Sequence, residues 1–340
     1  MPWGTMAPSH RRADEIVEIS VVIPTFEGGH RLRATLAALA RCRVPEGGAE
    51  VVVVDDSSPQ PVVLPRNLDL PFPARLQRLP THSGRAGACN AGLRAARGRV
   101  ALILDDDMTA APNLLEVHAA AHPAEAPPRG LVGRIEPDPE FFTGRFGRFL
   151  AEEERRRHQR LAARREALSF TDCLTGHFSV PRRTLLAVGG YDEGFSRYGF
   201  EDIELAFRLE RAGVGLVYTE ATTTRHRSEF ADFPAHCRRH MEAGAMARHF
   251  ADRHRLAQVE TFLRTEGMRW GKQRGWFRRT MALTHGLTRA TPGPLRQALL
   301  ALARAQVRMA ERLAPTAVLH VGYHLVRDMH YAAGLAGRNR

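Results

Sequence analysis

Three consecutive carboxylates, Asp105, Asp106 and Asp107, follow directly on an apolar run at Val100–Leu104. An apolar run of this kind is typical of a buried strand, so the carboxylates are expected where the strand ends. Like charges this close repel one another, and a divalent metal ion with oxygen ligands is the usual compensation. The triplet therefore indicates a metal site, with a plain acidic turn or helix cap as the alternative.

Other polar residues follow buried strands in the same way. Pro24-Thr25 ends the run ISVVI, and Asp55-Asp56 ends the run VVVV. Strands that alternate with helical segments imply right-handed βαβ units and a parallel sheet, in which ligands bind at the carboxyl ends of the strands. One shared crevice is therefore expected to gather these side chains. Strands are predicted at 19–23, 51–54, 76–79, 100–104, 131–135, 178–180 and 214–219, and helices at 31–41, 84–97, 152–165 and over most of the chain after 225, with a break at 291–294.

The composition is that of a globular protein with a large basic excess. The 340 residues carry a formal net charge of +12, and nearly all of the basic residues are arginine, with Lys272 as the only lysine. Such a balance would suit an acidic membrane surface, a phosphorylated substrate or a nucleic acid. The arginine, alanine, glycine and proline excess also fits a GC-rich coding bias, so the charge by itself favours no one ligand, and nucleic acid is not expected as a partner.

The chain is expected to be cytoplasmic, with peripheral contact to the inner face of the membrane as a further option. Its four cysteines are widely spaced and form no CxxC pair, and no segment has the apolar length of a membrane span or a signal core. Three regions are predicted: a loose tail at 1–15, a catalytic domain at 16–230 with halves at 16–128 and 129–230, and a basic helical C-terminal extension at 231–340.

Five motifs in order resemble those of the inverting glycosyltransferases of family 2. They are ISVVIPTF, VVVVDDSSP, HSGRAGACNAGLRAARGRV, LILDDDM and GGYDEGFSRYGFEDIELAFRLERAG. The resemblance covers 19–226, about 60% of the chain. It implies the GT-A fold, an α/β, Rossmann-like fold with a mostly parallel central sheet flanked by helices, here with a helical C-terminal extension.

The resemblance implies a nucleotide-sugar donor, with UDP as the commonest case, and a Mn²⁺ or Mg²⁺ ion that neutralises the departing diphosphate. In the family pattern Asp105 faces the ribose or the metal and Asp107 binds the metal, while Asp106 occupies the middle position. The triplet leaves this register open by one residue. His226 follows a strand, where relatives often place a further metal ligand, although a structural role is equally open for one of 16 histidines.

The same resemblance assigns the nucleotide to the first two strand ends. Asp56, in preference to Asp55, would accept a hydrogen bond from the base, and Pro24, Thr25 and Glu27 would line the same edge. A turn built from Asp, Ser and Pro is the alternative for the aspartates.

Arg85 lies in a glycine-rich turn and suits phosphate, and Asn90 follows at the start of the next helix. The family's usual arginine before this asparagine is replaced by Cys89. Arg85 is expected to compensate, unless the glycines serve close helix packing alone.

Glu201 and Asp202 begin a predicted helix and match the family's acceptor-side pair. Transfer to a hydroxyl needs one general base, and the resemblance gives this role to Asp202, with Glu201 holding acceptor hydroxyls. Stabilisation of the helix N-terminus would also explain an acid at either position. Glu204 and Arg208 are spaced as a structural ion pair.

The C-terminal extension combines cations with aromatic residues and could contact an anionic membrane or a lipid-linked acceptor. A solvated helix packed on the catalytic domain is the alternative. The residues concerned are Arg238, Arg239, His240, Arg248, His249, Arg253 and Arg255, and then Trp270, Trp276 and Phe277 among Arg269, Lys272, Arg274, Arg278 and Arg279.

The sequence thus predicts a metal-dependent inverting glycosyltransferase with an unknown glycan, lipid-linked or small-molecule acceptor. The competing hypothesis is a non-catalytic basic binding protein on a degenerate scaffold of the same fold. An oxidoreductase is disfavoured, because PTFE stands after the first strand where a GxGxxG loop is needed.

Overall fold

A computed structural model describes residues 17–65, 69–228, 232–257, 263 and 275–337. The N-terminal tail and most of the aromatic and basic stretch around Trp270 lie outside these residues.

The described residues form one eight-stranded sheet in the order β3-β2-β1-β4-β7-β6-β8-β5. The strands are β1 Ile19–Thr25, β2 Ala49–Asp55, β3 Ala74–Arg78, β4 Val100–Leu104, β5 Met108–Ala110, β6 Arg129–Pro137, β7 His177–Pro181 and β8 Gly215–His226. The pairings of β1 with β2, β2 with β3, β1 with β4 and β6 with β8 are parallel, whereas β7 and β5 pair antiparallel with their neighbours. The predicted parallel half is therefore correct, and the second half is mixed.

Ten helices surround the sheet within the described part of the chain. They are α1 Gly29–Leu39, α2 Gly84–Ala95, α3 Leu114–Ala120, α4 Gly144–Ala162, α5 Arg182–Ala187, α6 Glu201–Arg211, α7 Phe233–His254, α8 Gly275–Ala290, α9 Gly293–Leu313 and α10 Thr316–Ala336. The break predicted at 291–294 separates α8 from α9. A second break, which was not predicted, precedes α10 at Pro315, where the fixed φ and missing N–H of proline suit the start of a helix.

The neighbouring strands β1 and β2 are buried along their whole length. Every residue of β1 and β2 is buried, as expected for parallel strands covered on both faces. Each fully buried Val or Ile contributes about 1.5–3 kcal/mol relative to its exposed state, so these strands form the main core of the donor-side half.

Glycines in α2 allow this helix to lie very close to the sheet. A Cβ atom added at Gly92 would stand 2.3 Å from Val22 Cγ1 and 3.2 Å from Val54 Cγ2. The small residues of α2 therefore have a packing role, which was the alternative interpretation of the glycine-rich motif. They bring the helix start, and Arg85 with it, close to the ends of β1 and β4.

The C-terminal helices share a core with the sheet domain. Phe207 of α6 meets Phe250 of α7 edge-on, with ring centroids 5.6 Å apart. Helix α10 crosses α7 at two glycines, because a Cβ atom at Gly244 would stand 2.1 Å from the Tyr331 carbonyl oxygen and one at Gly334 would stand 2.0 Å from that of Met241. In the described residues no helix combines the length and apolarity needed to cross a bilayer.

We expect Gly92→Ala to destabilise the protein by about 1–3 kcal/mol, because β1 must yield to the added methyl group. The matched control is Gly286→Ala in α8, where an added Cβ meets nothing within 4 Å. That change should stabilise the helix by about 0.5–1 kcal/mol, since alanine is the better helix former. Urea unfolding followed by circular dichroism measures both, and equal effects would contradict the close packing of α2.

Candidate active site

One cavity of ≈ 600 Å³ opens at the carboxyl ends of β1, β2 and β4. It contains most of the residues that the sequence singled out, from both halves of the sheet. Those in its wall are Pro24, Thr25, Asp56, Arg85, Asp105, Asp106, Asp107, Glu201, Asp202 and His226. The predicted crevice therefore exists, and Glu27, Asp55 and Asn90 are absent from its wall.

The three aspartates after β4 point to three different partners. Asp105 Oδ1 accepts a hydrogen bond from Arg85 Nη2 at 2.7 Å, Asp106 contacts β1 and α1, and Asp107 contacts His226. This divergence is how the protein relieves repulsion between adjacent carboxylates. It also separates their roles, because each carboxylate meets a different part of any ligand in the cavity.

Asp106 ties the triplet to the first βα unit. Thr25 Oγ1 donates to Asp106 Oδ2 at 2.5 Å, Arg31 Nε lies 3.5 Å from Oδ1, and Thr35 Oγ1 donates to the Asp106 carbonyl at 2.7 Å. Burial raises the pKa of Asp106 to about 6, against the opposing effects of Arg31 and Thr25. A Cβ at Gly28 would stand 1.9 Å from Asp106 Oδ2, so only glycine fits there.

Asp107 and His226 form the pair best suited to hold a metal ion. Pairing of β5 with β8 sets Met108 opposite His226, and His226 Nε2 then lies 3.1 Å from Asp107 Oδ2. The other carboxylate oxygen, Oδ1, is buried and has no hydrogen-bond partner. Burial alone would raise the pKa of Asp107, but the combined effect of His226, Arg31 and Arg239 lowers it.

Asp105 does not join this pair. Within the described part of the chain no three His, Cys, Asp or Glu side chains converge as a ready metal site. The carboxylate of Asp105 is instead engaged by Arg85. Of the three metal ligands predicted from the sequence, two are therefore brought together and the third is turned away.

Arg85 connects the two halves of the cavity. Besides Asp105, its Nη1 donates to Thr175 Oγ1 at 2.9 Å and lies 3.5 Å from Glu201 Oε1. Burial alone would lower the pKa of this guanidinium, but the adjacent Asp105 and other anionic groups raise it well above its usual value. Arg85 is therefore a permanent cation between the strand ends and α6.

Glu201 and Asp202 form the first turn of α6, which starts after Phe200 in a left-handed conformation with φ 73°. Both carboxyls are buried and line the cavity. Asp202 Oδ1 accepts from the Ile203 backbone N–H at 2.8 Å, whereas Glu201 Oε2 has no partner. Burial raises both pKa values, that of Glu201 to about 7 with help from the adjacent Asp202 carboxylate. The two carboxyls therefore titrate as a coupled pair that is harder to ionise than two exposed acids.

Asp56 faces the cavity and Asp55 does not. Asp56 is held by the Ser83 backbone N–H at 2.7 Å and by His82 Nδ1 at 2.9 Å. Asp55 instead accepts bonds from the Ser58 hydroxyl, the Val62 backbone N–H and Arg78. These donors lower the pKa of Asp55 against the opposing effect of burial. The nucleotide-binding role considered for Asp55 is therefore replaced by a structural one, which fixes the loop after β2.

Asn90 and Glu27 also lie outside the cavity. The Asn90 side chain donates to the Tyr191 carbonyl oxygen at 2.9 Å and to Glu193 at 2.8 Å, and accepts from the Tyr191 N–H at 2.8 Å. It joins α2 to the loop before α6. Glu27 is exposed, and its backbone N–H donates to Ser58 Oγ. Neither side chain is placed to bind a nucleotide-sugar directly.

Several cavity residues were not anticipated from the sequence. Arg31 reaches in from α1, and Arg239 of α7 lies over the ring of Tyr198, 4.8 Å from its centroid. Phe26 and His82 form a ring pair with centroids 4.5 Å apart beside Asp56. Arg239 had been assigned only to a basic helical face, because nothing local in the sequence distinguishes it from the neighbouring arginines.

Two family models match the chain, Glycosyl transferase family 2 over residues 20–188 and N-terminal domain of galactosyltransferase over residues 155–231. The uncharacterized glycosyltransferase YfnE of Bacillus subtilis is 26% identical over 65% of this chain and 67% of its own length. Validoxylamine A glucosyltransferase of Streptomyces hygroscopicus subsp. jinggangensis is 30% identical over 58% of this chain, and the match spans about half of that relative, 52%.

A solved structure shows the same fold. It is the mannosyltransferase PcManGT from Pyrobaculum calidifontis in complex with GDP-Man and Mn²⁺, which is 19% identical and has a TM-score of 0.56, over 96% of this chain and 89% of that chain. The family models and the curated relatives place the chain among the glycosyltransferases of family 2, and the solved structure shows that the fold is GT-A.

Proposed function

We propose that the protein is a metal-dependent inverting glycosyltransferase that moves a sugar from a nucleoside-diphosphate donor, most often UDP in such enzymes, to an acceptor hydroxyl. One observation carries the proposal. The Asp107–His226 pair, the cation Arg85 and the buried Glu201–Asp202 pair all line one cavity at the strand ends. A site for the leaving diphosphate and a general base for the acceptor hydroxyl are thereby available in one cavity, where donor and acceptor would meet.

The Asp107–His226 pair fits a Mn²⁺ or Mg²⁺ ion. The buried and unpartnered Oδ1 of Asp107 is a free oxygen ligand, and such ions often use one or two protein ligands, with water and substrate phosphates completing the shell. When bound, the ion would act as a Lewis acid that stabilises the departing diphosphate. The Pyrobaculum structure, which holds GDP-Man and Mn²⁺, supports this choice of ion.

The donor's base is assigned to the edge formed by β1 and β2. Asp56 is held with its carboxylate at the cavity wall, where it can accept from a ring N–H or an exocyclic amine. The neighbouring Phe26 ring, 40% exposed and paired with His82, offers a face for base stacking. Thr25 is occupied by Asp106, so its contribution to the base is limited to backbone and methyl contacts.

The acceptor is assigned to the side of α6. Asp202 removes the proton of the acceptor hydroxyl while the hydroxyl oxygen forms a bond to the anomeric carbon of the donor sugar. The bond from that carbon to the diphosphate oxygen breaks at the same time. A single displacement of this kind inverts the configuration. Tyr198, half-exposed beside Arg239, offers an aromatic face against which a sugar ring can pack.

We further propose peripheral contact with an anionic membrane, through a surface that differs from the one indicated by the sequence. Leu295, Leu302, Met309 and Leu313 lie at helical spacing on one face of α9, with exposed fractions between 58% and 88%. A single exposed apolar side chain is ordinary on a globular protein. A continuous stripe of them indicates a face that is covered by a partner or a membrane.

The charge around this stripe, which we call the α9 apolar stripe, favours anionic lipid as its cover. Arg308 and Arg312 are exposed on the same helix. The acids of the described residues 275–337 are already engaged, Glu311 by the Tyr323 hydroxyl and Asp328 by His285. Apolar side chains flanked by arginine suit the interface of an anionic bilayer, whereas a second copy of this chain would bring like charges together.

Asp107→Asn should abolish the Mn²⁺-dependent response to donor. Loss of the carboxylate removes the ligand that anchors the ion, and transfer should fall by at least about 100-fold. A panel of nucleotide-sugars, read by thermal shift and by diphosphate release with and without EDTA, measures both effects. The exposed Asp252→Asn is the control with the same charge change. Unaltered metal-dependent binding in Asp107→Asn would favour a degenerate binding protein.

Asp202→Asn should lower kcat by about 10²–10⁴-fold with donor binding retained, as expected for loss of a general base. In the unmodified protein the transfer rate should fall as the pH drops toward the pKa of Asp202, which burial raises above its usual value, because protonation removes the base. Glu201→Gln removes one charge of the pair, so the inflection should move to lower pH. A pH profile unchanged in both variants would rule out this pair as the base.

Leu302→Glu combined with Met309→Glu should weaken cosedimentation with phosphatidylglycerol vesicles by about tenfold or more, since two apolar side chains lose their burial. Phosphatidylcholine vesicles should bind weakly from the start. The matched control is Val63→Glu with Leu186→Glu, two exposed apolar positions elsewhere. Unchanged vesicle binding, or a dimer that the same substitutions dissociate, would contradict lipid as the cover.

A further inference from the structure

A second pocket, of ≈ 300 Å³, lies at the opposite end of β4 from the cavity. Arg97, Gly98 and Arg99 lead into the first residue of β4, and Pro181 ends β7, which runs antiparallel to β4. The acidic triplet leaves β4 at its other end. None of the residues in this second pocket, which we call the back pocket, has a role in the proposed transfer reaction.

Four arginines line the back pocket, and its wall contains no carboxylate. Arg99 is neutralised by two contacts with Glu18, and Arg182 donates to the Leu93 carbonyl oxygen at 2.8 Å. The side chains of Arg97 and Arg183 form no ion pair with any described residue, and both are exposed. The pocket therefore holds an excess of positive charge.

A buried histidine completes the wall. His122 is 3% exposed, its Nε2 lies 2.7 Å from Ser179 Oγ, and its Nδ1 has no hydrogen-bond partner. Burial, together with the nearby Arg129 and Arg99, lowers the pKa of His122 to about 4. The ring is thus neutral, and the local field is one that a bound anion would relieve.

The tautomer of His122 follows from a chain of hydrogen bonds through the sheet. His177 Nδ1 lies 3.1 Å from the Arg134 carbonyl, which can only accept, so Nδ1 carries the proton. His177 Nε2 must then accept from His118 Nε2 at 2.8 Å, and His118 Nδ1 from the Ser179 hydroxyl at 2.7 Å. Ser179 Oγ is left to accept from His122 Nε2, and His122 Nδ1 is an unprotonated lone pair.

We propose that the back pocket binds a small phosphate-type oxyanion, either inorganic phosphate or the phosphate group of a small metabolite. Arg97 and Arg183 supply unpaired guanidinium groups, which bind phosphate through paired N–H donors. Arg182 strengthens the field from a fixed position, since it is held by the Leu93 carbonyl oxygen. A rim of prolines at 123, 127 and 181 keeps the pocket concave, which suits a compact ligand better than an extended polyanion.

Occupation of the pocket would be sensed by His122. An anion among these arginines offsets the positive field, so the His122 pKa must rise, and Nδ1 is the free position for the added proton. The charged His122 ring is then connected from its Nε2 through Ser179 and His118 to His177. His177 directly follows Gly176 in the wall of the active-site cavity.

The test is a titration of the full chain with inorganic phosphate, in the absence of metal and donor, by isothermal calorimetry. Arg97→Ser with Arg183→Ser should weaken phosphate binding by about tenfold or more, because two charge-assisted contacts are lost. Arg41→Ser with Arg43→Ser, two exposed arginines elsewhere, is the control with the same change in net charge and should bind as the unmodified protein does.

A second measurement follows the His122 ring by NMR, with His122→Gln used to assign its signal. Phosphate should raise the His122 pKa from about 4 in the unmodified protein and leave it unchanged in Arg97→Ser with Arg183→Ser. Binding that persists in that double variant would assign phosphate to the catalytic cavity and overturn the proposal, as would equal weakening in the control. No donor or acceptor is present, so these outcomes are independent of whether sugar transfer occurs.

Discussion

The electrostatic cost of three adjacent carboxylates at the end of β4 governs the arrangement of the cavity. Each carboxylate is stabilised by a different partner, Arg85 for Asp105, Thr25 and Arg31 for Asp106, and His226 for Asp107. These partners come from α2, from β1 and α1, and from the far end of β8. The sheet must therefore be fully assembled before the charges are balanced, which links the formation of the site to the folding of the whole α/β domain.

The donor-side half of the fold could be predicted from the sequence because its signals are local. Mostly apolar runs rich in β-branched residues at β1, β2 and β4 indicate buried parallel strands, and parallel strands place their carboxyl ends together. The positions of Asp56, Asp105 and Asp107 at one cavity follow from that rule alone. Register within the acidic triplet did not follow, because the direction of each side chain depends on partners that lie from 20 to 119 residues away.

The less predictable features depend on contacts between distant segments. Asp55 and Asp56 are adjacent and chemically identical, and Asp55 is held outside the cavity by Ser58 in the loop after β2 and by Arg78 at the end of β3. Asn90 matches its motif in type and position, yet its hydrogen bonds are all to the loop before α6. Strand β5 has three residues and was missed for lack of a hydrophobic period, although it brings His226 to Asp107.

Arg85 contacts acidic residues on both sides of the cavity. One guanidinium serves Asp105 on the nucleotide side and Glu201 on the opposite side. If the proposed transfer reaction holds, an incoming diphosphate would compete for the same N–H groups, and whatever share it takes would be withdrawn from Glu201. The pKa values of the two buried acids at the start of α6 would then depend on what fills the neighbouring subsite, so a single side chain would couple the two halves of the cleft.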